Sequence, residues 1–296
     1  MSPLTLQQKT KTTRRIDLFG IVPNRVRELS LSEILQLPIQ VDERPAQVGD
    51  FFEVIEGERT ALAFEGDLSH CDYVGGGLES GSIVVQGSVG DFLAERMRGG
   101  SLEVQGSANR FACSGMRGGL VRIEGDCGEY AAAAAPGAKR GMNGGMLVVG
   151  GNCDQWLATR MRRGTVIVHG NVAAACASRM IAGTVVLCGE VEFPLAANMA
   201  RGTILLLHPH SICTPPAGFT VPEHSELSYL QILIHEINAY LPDRVRAEKS
   251  PSTTYCNPLF NSPVYRALGD RVNRGLGEII WLNSLLEPAA PHYAHA

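Results

Sequence analysis

The side chains most able to do chemistry in this chain are cations. Arg96, Arg98, Arg117, Lys139, Arg140, Arg160, Arg162, Arg163, Arg179 and Arg201 all stand close to a series of regularly spaced methionines. Guanidinium groups pair with carboxylates through two parallel hydrogen bonds, so cations repeated along an edge could hold an anionic chain. Left unoccupied, they would form a solvated edge that discourages aggregation. Between residues 66 and 208 there are 12 Lys and Arg against 12 Asp and Glu, so the positives are concentrated without being in excess. Catalysis asks for a convergent nucleophile, base and electrostatic stabiliser, and no such set is legible. His70 and His169 are isolated. His208 and His210 flank Pro209 without a third ligand nearby in sequence, and His292 and His295 lie in the tail. The eight cysteines (71, 113, 127, 153, 176, 188, 213 and 256) contain no C-x-x-C pair, and read as small buried hydrophobes. Asp and Glu are expected not to recur at the repeat spacing, which leaves no paired carboxylates for acid–base work. Neither catalytic residues nor a metal site are expected.

The elements that must position those cations repeat. Leu78, Met97, Met116, Met142, Met161, Met180 and Met199 form one column, and Gly81, Gly100, Gly119, Gly145, Gly164, Gly183 and Gly202 form another three places on. Successive members of both differ by 19, 19, 26, 19, 19 and 19 residues, a period of 19 with one insertion of seven. A fixed period near 20 marks a solenoid. Each repeat ends in an alternating apolar run such as Leu102 and Val104 or Val166 and Val168, the pattern of a half-buried strand. Like residues recur at like positions, so each strand should pair in parallel with its counterpart one repeat away, about 4.8 Å distant. The expectation is an all-β, right-handed parallel β-helix of about seven coils over residues 61–208, some 30 to 35 Å tall. Methionines should point inward, their neighbours outward, and glycines should form the corners. The insertion, residues 130–141, should bulge as a loop suited to contact with a partner.

Residues 1–60 and 209–296 are expected to cap the ends of the solenoid. Ser30 to Glu33 has capping-box spacing before a short helix stopped by Pro38, and residues 51 to 55 read as a strand leading into the first coil. Leu227, Leu230, Ile234, Ile237 and Leu241 have helical spacing, with a second capping box at Ser228 to Gln231 and a stop at Pro242. The net charge of −4 and a pI near 6.1 speak against a general nucleic-acid binder. The first residues lack the apolar core of a signal peptide, and no run approaches the length of a membrane span. A cytoplasmic protein is expected.

The repeat resembles the glycine-rich β-helix shared by the C subunit of formylmethanofuran dehydrogenase and the C-terminal domain of glutamate synthase. Three segments favour the first: Phe64-Glu65-Gly66-Asp67-Leu68 at the head of the first coil, the inserted Pro136-Gly137 loop running to Gly145, and the tail Gly269-Asp270 with Gly275-Leu276-Gly277-Glu278-Ile279. The resemblance covers roughly residues 28 to 281. It departs at Leu78 and at Arg163, Ala182 and Arg201, which replace the first glycine of a pair.

The resemblance implies a non-catalytic scaffold subunit of a multi-protein enzyme. In archaea such a complex reduces CO2 onto methanofuran. In methylotrophic bacteria a related formyltransferase/hydrolase complex moves the formyl group from tetrahydromethanopterin to methylofuran and releases formate. The implied partners are an amidohydrolase-like subunit, a formyltransferase subunit and a protein like the B subunit. The furan cofactors carry glutamyl tails, so Arg96, Arg98, Arg117, Lys139, Arg140, Arg162, Arg163, Arg179 and Arg201 become candidates for holding methanofuran or methylofuran. Two other readings fit the repeat: a stand-alone glutamate synthase-type structural module, and a solenoid enzyme acting on a polymer.

Overall fold

The structure is a computed structural model that describes residues 2–208, 215–241, 264–271 and 275–281. The expectations for Pro209, His210, Cys213, Pro242, Cys256, His292 and His295 fall outside these residues. The fold is strand-rich, with few and short helices.

The alternating runs are strands, and each pairs in parallel with its equivalent one repeat away. The central register runs Leu62, Ile83, Leu102, Val121, Leu147, Val166, Val185, Ile204 and then Ile279. Two further lines of bonds join the same repeats. One is a row of parallel bridges through Leu68, Val89, Ala108, Cys127, Cys153, Val172 and Val191. The other consists of backbone N–H groups donating to the repeat before, Ala94 to Val74 at 2.8 Å, Cys113 to Leu93 at 2.7 Å and Ala177 to Leu157 at 2.8 Å among them.

The main sheet has 13 strands and is mixed, because the end segments turn back on it. At one end Pro3–Gln8 pairs in parallel with Glu58–Glu65, and Phe52–Ile55 lies antiparallel outside it. At the other, Val264–Gly269 runs antiparallel to Leu276–Trp281, and Glu223–Ser225 forms the edge. The strand expected at 51 to 55 is therefore an edge strand; Glu58–Glu65 leads into the repeats. A second sheet of four strands ties Ile16–Asp17 and the hairpin Pro38–Val41 and Arg44–Gln47 to Cys71–Asp72.

The methionine column is interior, as its spacing suggested. Leu78 and the six methionines of the column, Met97, Met116, Met142, Met161, Met180 and Met199, are fully buried. Glycine forms the corner after each methionine, where a side chain has no room: a Cβ on Gly119 (φ +92°) would lie 2.5 Å from the Cε of Met97 and 2.7 Å from the carbonyl of Gly100. The corner before each methionine departs from expectation. Three alternate positions there are left-handed and mostly not glycine, as in Phe92, Ala94 and Arg96 (φ 60°, 55°, 56°) and Trp156, Ala158 and Arg160 (φ 67°, 57°, 57°). Such conformations persist only where surrounding bonds over-determine them, which the lines of inter-repeat bonds do.

The insertion behaves as a bulge. Ala132 bonds back to Ala112 and Met142 is already in register, while Pro136, Gly137, Lys139 and Arg140 between them are exposed. Helix Leu31–Leu35 has the expected capping box, Ser30 accepting from the Glu33 N–H and Glu33 from the Ser30 N–H. The second box does not form: helix Ser228–Ile237 already includes Ser228 and its cap is Leu227. Leu230, Ile234, Ile237 and Leu241 pack on the outer face of the sheet, against Val148, Ile167, Val186, Leu205 and Ile280. The sequence allows this because the outward strand position, Glu103 and Arg122 in earlier repeats, turns apolar from Val148 onward.

Met161→Ala should cost about 2–5 kcal/mol and Met161→Leu less than about 1.5 kcal/mol, because the first leaves a cavity and the second conserves volume. Gly119→Ala should be more costly than the same change at Gly137, around which nothing lies within 4 Å. Urea unfolding of the variants checks both orders.

Candidate functional site

The cations beside the methionines occupy three places in the repeat. Arg96, Arg160 and Arg179 precede a methionine, Arg98, Arg117 and Arg162 follow one, and Arg163 and Arg201 come second after one. The three places lie within four consecutive positions, at most about 11 Å along the chain, so these cations recur around the methionine corner of each repeat that carries one. Arg96, Arg98, Arg117, Lys139, Arg140, Arg163, Arg179 and Arg201 are exposed, and Arg162 is half-buried. Arg160 donates to the Ala138 carbonyl at 3.5 Å and so holds the inserted loop, with Lys139 and Arg140, against the following repeat.

The edge is not uniform. In the early repeats the cations have acidic partners: Arg98 with Glu79 at 2.9 Å, Arg96 with Glu95 at 3.5 Å, and nearby Arg110 with Glu129 at 3.4 Å. Arg117, Lys139, Arg140, Arg162, Arg163, Arg179 and Arg201 form no ion pair among the described residues. Residues 66–129 hold five cations and nine anions, a balance of −4; residues 130–208 hold seven and three, a balance of +4. The segment is electrostatically polar along its length.

Carboxylates do recur at the repeat spacing, contrary to the sequence reading. Asp72 and Asp91 stand 19 residues apart, and Arg15 from the N-terminal segment bridges them, with its Nε 2.9 Å from Asp72 and its Nη2 2.9 Å from Asp91. Burial pushes the Asp72 carboxyl above its usual range, opposed by the Asp91 N–H and by Arg15. Both aspartates are thus held by one cation, a clamp joining the N-terminal segment to the first repeats. A cavity of about 490 Å³ opens beside it, lined by Arg15, Asp17, Gln40, Asp42, Glu43, Asp72 and Tyr73.

Two further ladders went unread in the sequence. Ser88, Ser107, Asp126, Asn152 and Asn171 each accept the backbone N–H of the equivalent residue one repeat on, at 2.7 to 3.0 Å. Tyr73, Phe92, Phe111 and Tyr130 stack with centroids 4.8 to 5.0 Å apart, and Trp156 continues the column at 6.0 Å. Their signal was present, since each pair is separated by 19 residues or, across the insertion, 26.

The remaining candidates are structural. His169 Nε2 lies 2.7 Å from the Tyr240 carbonyl and fixes the end of the C-terminal helical segment. The six described cysteines are buried and unpaired in disulfides, and burial pushes the Cys176 thiol up to about 12. Among the described residues no cluster of three or more His, Cys, Asp or Glu could hold a metal, and no helix is long and apolar enough to cross a membrane.

Comparison with known proteins gives a consistent set. The chain is 40% identical over 89 residues to the C subunit of the formyltransferase/hydrolase complex Fhc of Methylorubrum extorquens, covering 30% of this chain and 34% of that protein. It is 35% identical over 72 residues to the C subunit of the molybdenum-containing formylmethanofuran dehydrogenase 1 of Methanothermobacter marburgensis, covering 24% of this chain and 18% of that protein. The matched segments thus span about a third or less of these curated relatives. A chain in the X-ray crystal structure of the formyltransferase/hydrolase complex FhcABCD from Methylorubrum extorquens, in complex with methylofuran, superposes with a TM-score of 0.82. There the identity is 33%, and the match covers 94% of this chain and 99% of the other. No established protein-family profile matches the chain.

The two halves of the cationic edge should respond differently to neutralisation. Arg98→Gln removes an exposed pair and should lower stability by about 0 to 1 kcal/mol. Arg117→Gln, Arg162→Gln and Arg201→Gln together remove mutual repulsion, so the melting temperature should hold or rise at low salt. Thermal melts at low and high ionic strength check the contrast, which screening should shrink.

Proposed function

We propose that this chain, which belongs to the family of C subunits of formyltransferase/hydrolase complexes and formylmethanofuran dehydrogenases, is a non-catalytic scaffold subunit of such a complex in one-carbon metabolism. In that role it works in the cytoplasm beside an amidohydrolase-like subunit, a formyltransferase subunit and a protein like the B subunit. The complex passes a formyl group between tetrahydromethanopterin and methanofuran or methylofuran. The observation that carries the reading is the structural match over nearly the full length of both chains, to a protein from a complex with methylofuran.

The shape we infer is a right-handed parallel β-helix of about seven coils over residues 61–208, with residues 1–60 and 209–296 as caps. Three lines of bonds between successive repeats support it, and the handedness follows the rule for parallel crossovers. Such an interior is filled by methionine, aliphatic and cysteine side chains, so contacts with partners and ligands fall on the outside. On that outside we assign Arg96, Arg98, Arg117, Lys139, Arg140, Arg162, Arg163, Arg179 and Arg201 to the glutamyl tail of the furan cofactor. Exposed pairs are individually weak, so retention comes from several acting together.

Affinity purification of the tagged full chain from its host, followed by mass identification, tests the role. Recovery of amidohydrolase-like and formyltransferase subunits is expected; recovery of the chain alone, or with glutamate synthase subunits, overturns it. Deleting residues 134–140 should leave circular dichroism unchanged and reduce recovery of those partners, since the loop leaves the stack and presents Pro136, Gly137, Lys139 and Arg140 outward. Full recovery with the deletion variant refutes a docking role for the loop.

A further inference from the structure

We infer that Cys127 and Cys153 form a two-coordinate site for a soft closed-shell cation, mercuric ion above all, held in line between the two sulfurs. The site lies inside the stack rather than on its cationic edge, and it is independent of the role proposed above.

The repeat brings the two thiols together. Cys127 and Cys153 are 26 residues apart, the separation of the third and fourth repeats across the insertion, and they form one parallel bridge. Elsewhere the same column carries Leu68, Val89, Ala108, Val172 and Val191. Of the six described cysteines, these two alone follow one another in a column. Both are 2% exposed, while their chain neighbours Asp126, Asn152 and Asp154 are exposed. The Cys127 thiol reaches that of Cys153, and this contact, together with burial, holds the Cys153 thiol well above its ordinary range.

Spacing decides what such a pair can hold. Equivalent side chains in a parallel ladder repeat at about 4.8 Å. A disulfide needs its sulfurs about 2.05 Å apart and its Cβ atoms about 3.8 Å apart, so closing one would pull two repeats together. Two metal–thiolate bonds of about 2.3 Å laid end to end span about 4.6 Å, which the stack supplies without movement. A cation that takes two thiolates in line therefore fits, whereas zinc, which takes four ligands, does not. Among the described residues no group of three or more His, Cys, Asp or Glu could complete a tetrahedral set.

Charge narrows the class further. A divalent ion with two thiolates is neutral, and a neutral complex suits an interior lined by alanine, valine, leucine and methionine. A monovalent cuprous ion would leave a net negative charge there. On uptake two S–H bonds break, two sulfur–metal bonds form and two protons leave to solvent, with no exchange of electrons. The exposed carboxylates of Asp126 and Asp154 draw the cation to the wall, and passage inward waits on local opening.

The test loads the full chain, carrying Cys213→Ser and Cys256→Ser, with mercuric chloride and then washes it with glutathione. One mercury per chain should be retained, with two protons released. X-ray absorption should show two sulfurs at about 2.3 Å and no further ligand. Cys127→Ala and Cys153→Val, residues this column uses in other repeats, should each keep the circular dichroism and lower retention at least about tenfold. Cys176→Ala should leave it unchanged. Diamide should not build up a Cys127–Cys153 disulfide in the folded chain. Retention unaffected by either substitution, three or four ligands on the metal, zinc displacing mercury at equal concentration, or no mercury retained overturns the site. Complete conversion to the disulfide overturns the spacing on which it rests. The absorption measurement is made on the intact pair, so it decides the site even if a variant loses its fold.

Discussion

The pairing of each strand with its own counterpart 19 residues away is the constraint from which the rest of this structure follows. Parallel ladders place equivalent residues directly over one another at about 4.8 Å, so whatever one repeat puts at a position, the next must tolerate as a neighbour. Apolar positions gain from that rule: leucine, isoleucine and valine follow one another through the register from Leu62 to Ile279. Small residues do as well. Ala94, Cys113, Ala132, Ala158, Ala177 and Ala196 share one buried column, each of them left-handed. A left-handed residue outside glycine costs on the order of 1 kcal/mol or more, and no single repeat could hold three of them. The cost is met collectively, because the same distorted segment lies above and below and its N–H and C=O groups bond across.

Polar and charged residues face the rule differently. Like charges stacked at about 4.8 Å repel, and polar and aromatic columns each meet the stacking in their own way. In the Ser88 to Asn171 column the side-chain oxygens turn to backbone N–H groups of the next repeat, so short polar residues are satisfied without meeting each other. Where two aspartates stack, at 72 and 91, a single arginine from outside the repeats is placed between them. In the aromatic column the faces meet nearly parallel, within 10°, and each contact adds about 0.5–1.5 kcal/mol beyond burial. The later arginines receive none of these treatments. Their columns are staggered instead, one before, one after and two after the methionine, which spreads the charge laterally.

How much of this was legible in the sequence depended on whether the signal lived in the period. Leu78 through Met199 and Gly81 through Gly202 announced the repeat, the buried methionines and the strand register, because one physical rule governs every copy. The same rule would have yielded the ring column and the Ser–Asn ladder had their 19-residue spacing been sought. Asp72 and Asp91 were overlooked because two members make a short column. What periodicity cannot carry is anything belonging to the end segments. Pro3–Gln8 alternates only two leucines, Leu4 and Leu6, with polar residues, too short a pattern to place it, and its position in the sheet is set by the open edge of Glu58–Glu65. Arg15 owes its role to a contact 57 residues away. Ser228 had capping-box spacing but lies one residue inside its helix, since the helix position is fixed by docking Leu230, Ile234 and Ile237 on the sheet. The ion pairs that split the cationic edge do carry the period, since Glu79 and Arg98, like Arg110 and Glu129, are 19 residues apart and meet through stacking.

The insertion shows how the stack confines change to its surface. Seven residues enter between Ala133 and Gly141, inside the left-handed segment that precedes Met142, and the three lines of pairing close around them. Cys127 still bridges Cys153, Val121 still pairs with Leu147, and Ala158 still bonds to Ala131. A loop of this length adds little closure entropy when its ends are held by neighbouring repeats. Because the core is indifferent to it, the loop is free to carry Lys139 and Arg140, which supply the cations that the fourth repeat lacks: Gly141 and Asn143 stand beside Met142 where the second, third, fifth and sixth repeats have arginines. Arg160 then fastens the loop to the fifth repeat through the Ala138 carbonyl. The sequence has thus restored, by an excursion outside the period, the cation that the period itself omitted, so that the later edge carries positive charge at every level from Arg117 to Arg201.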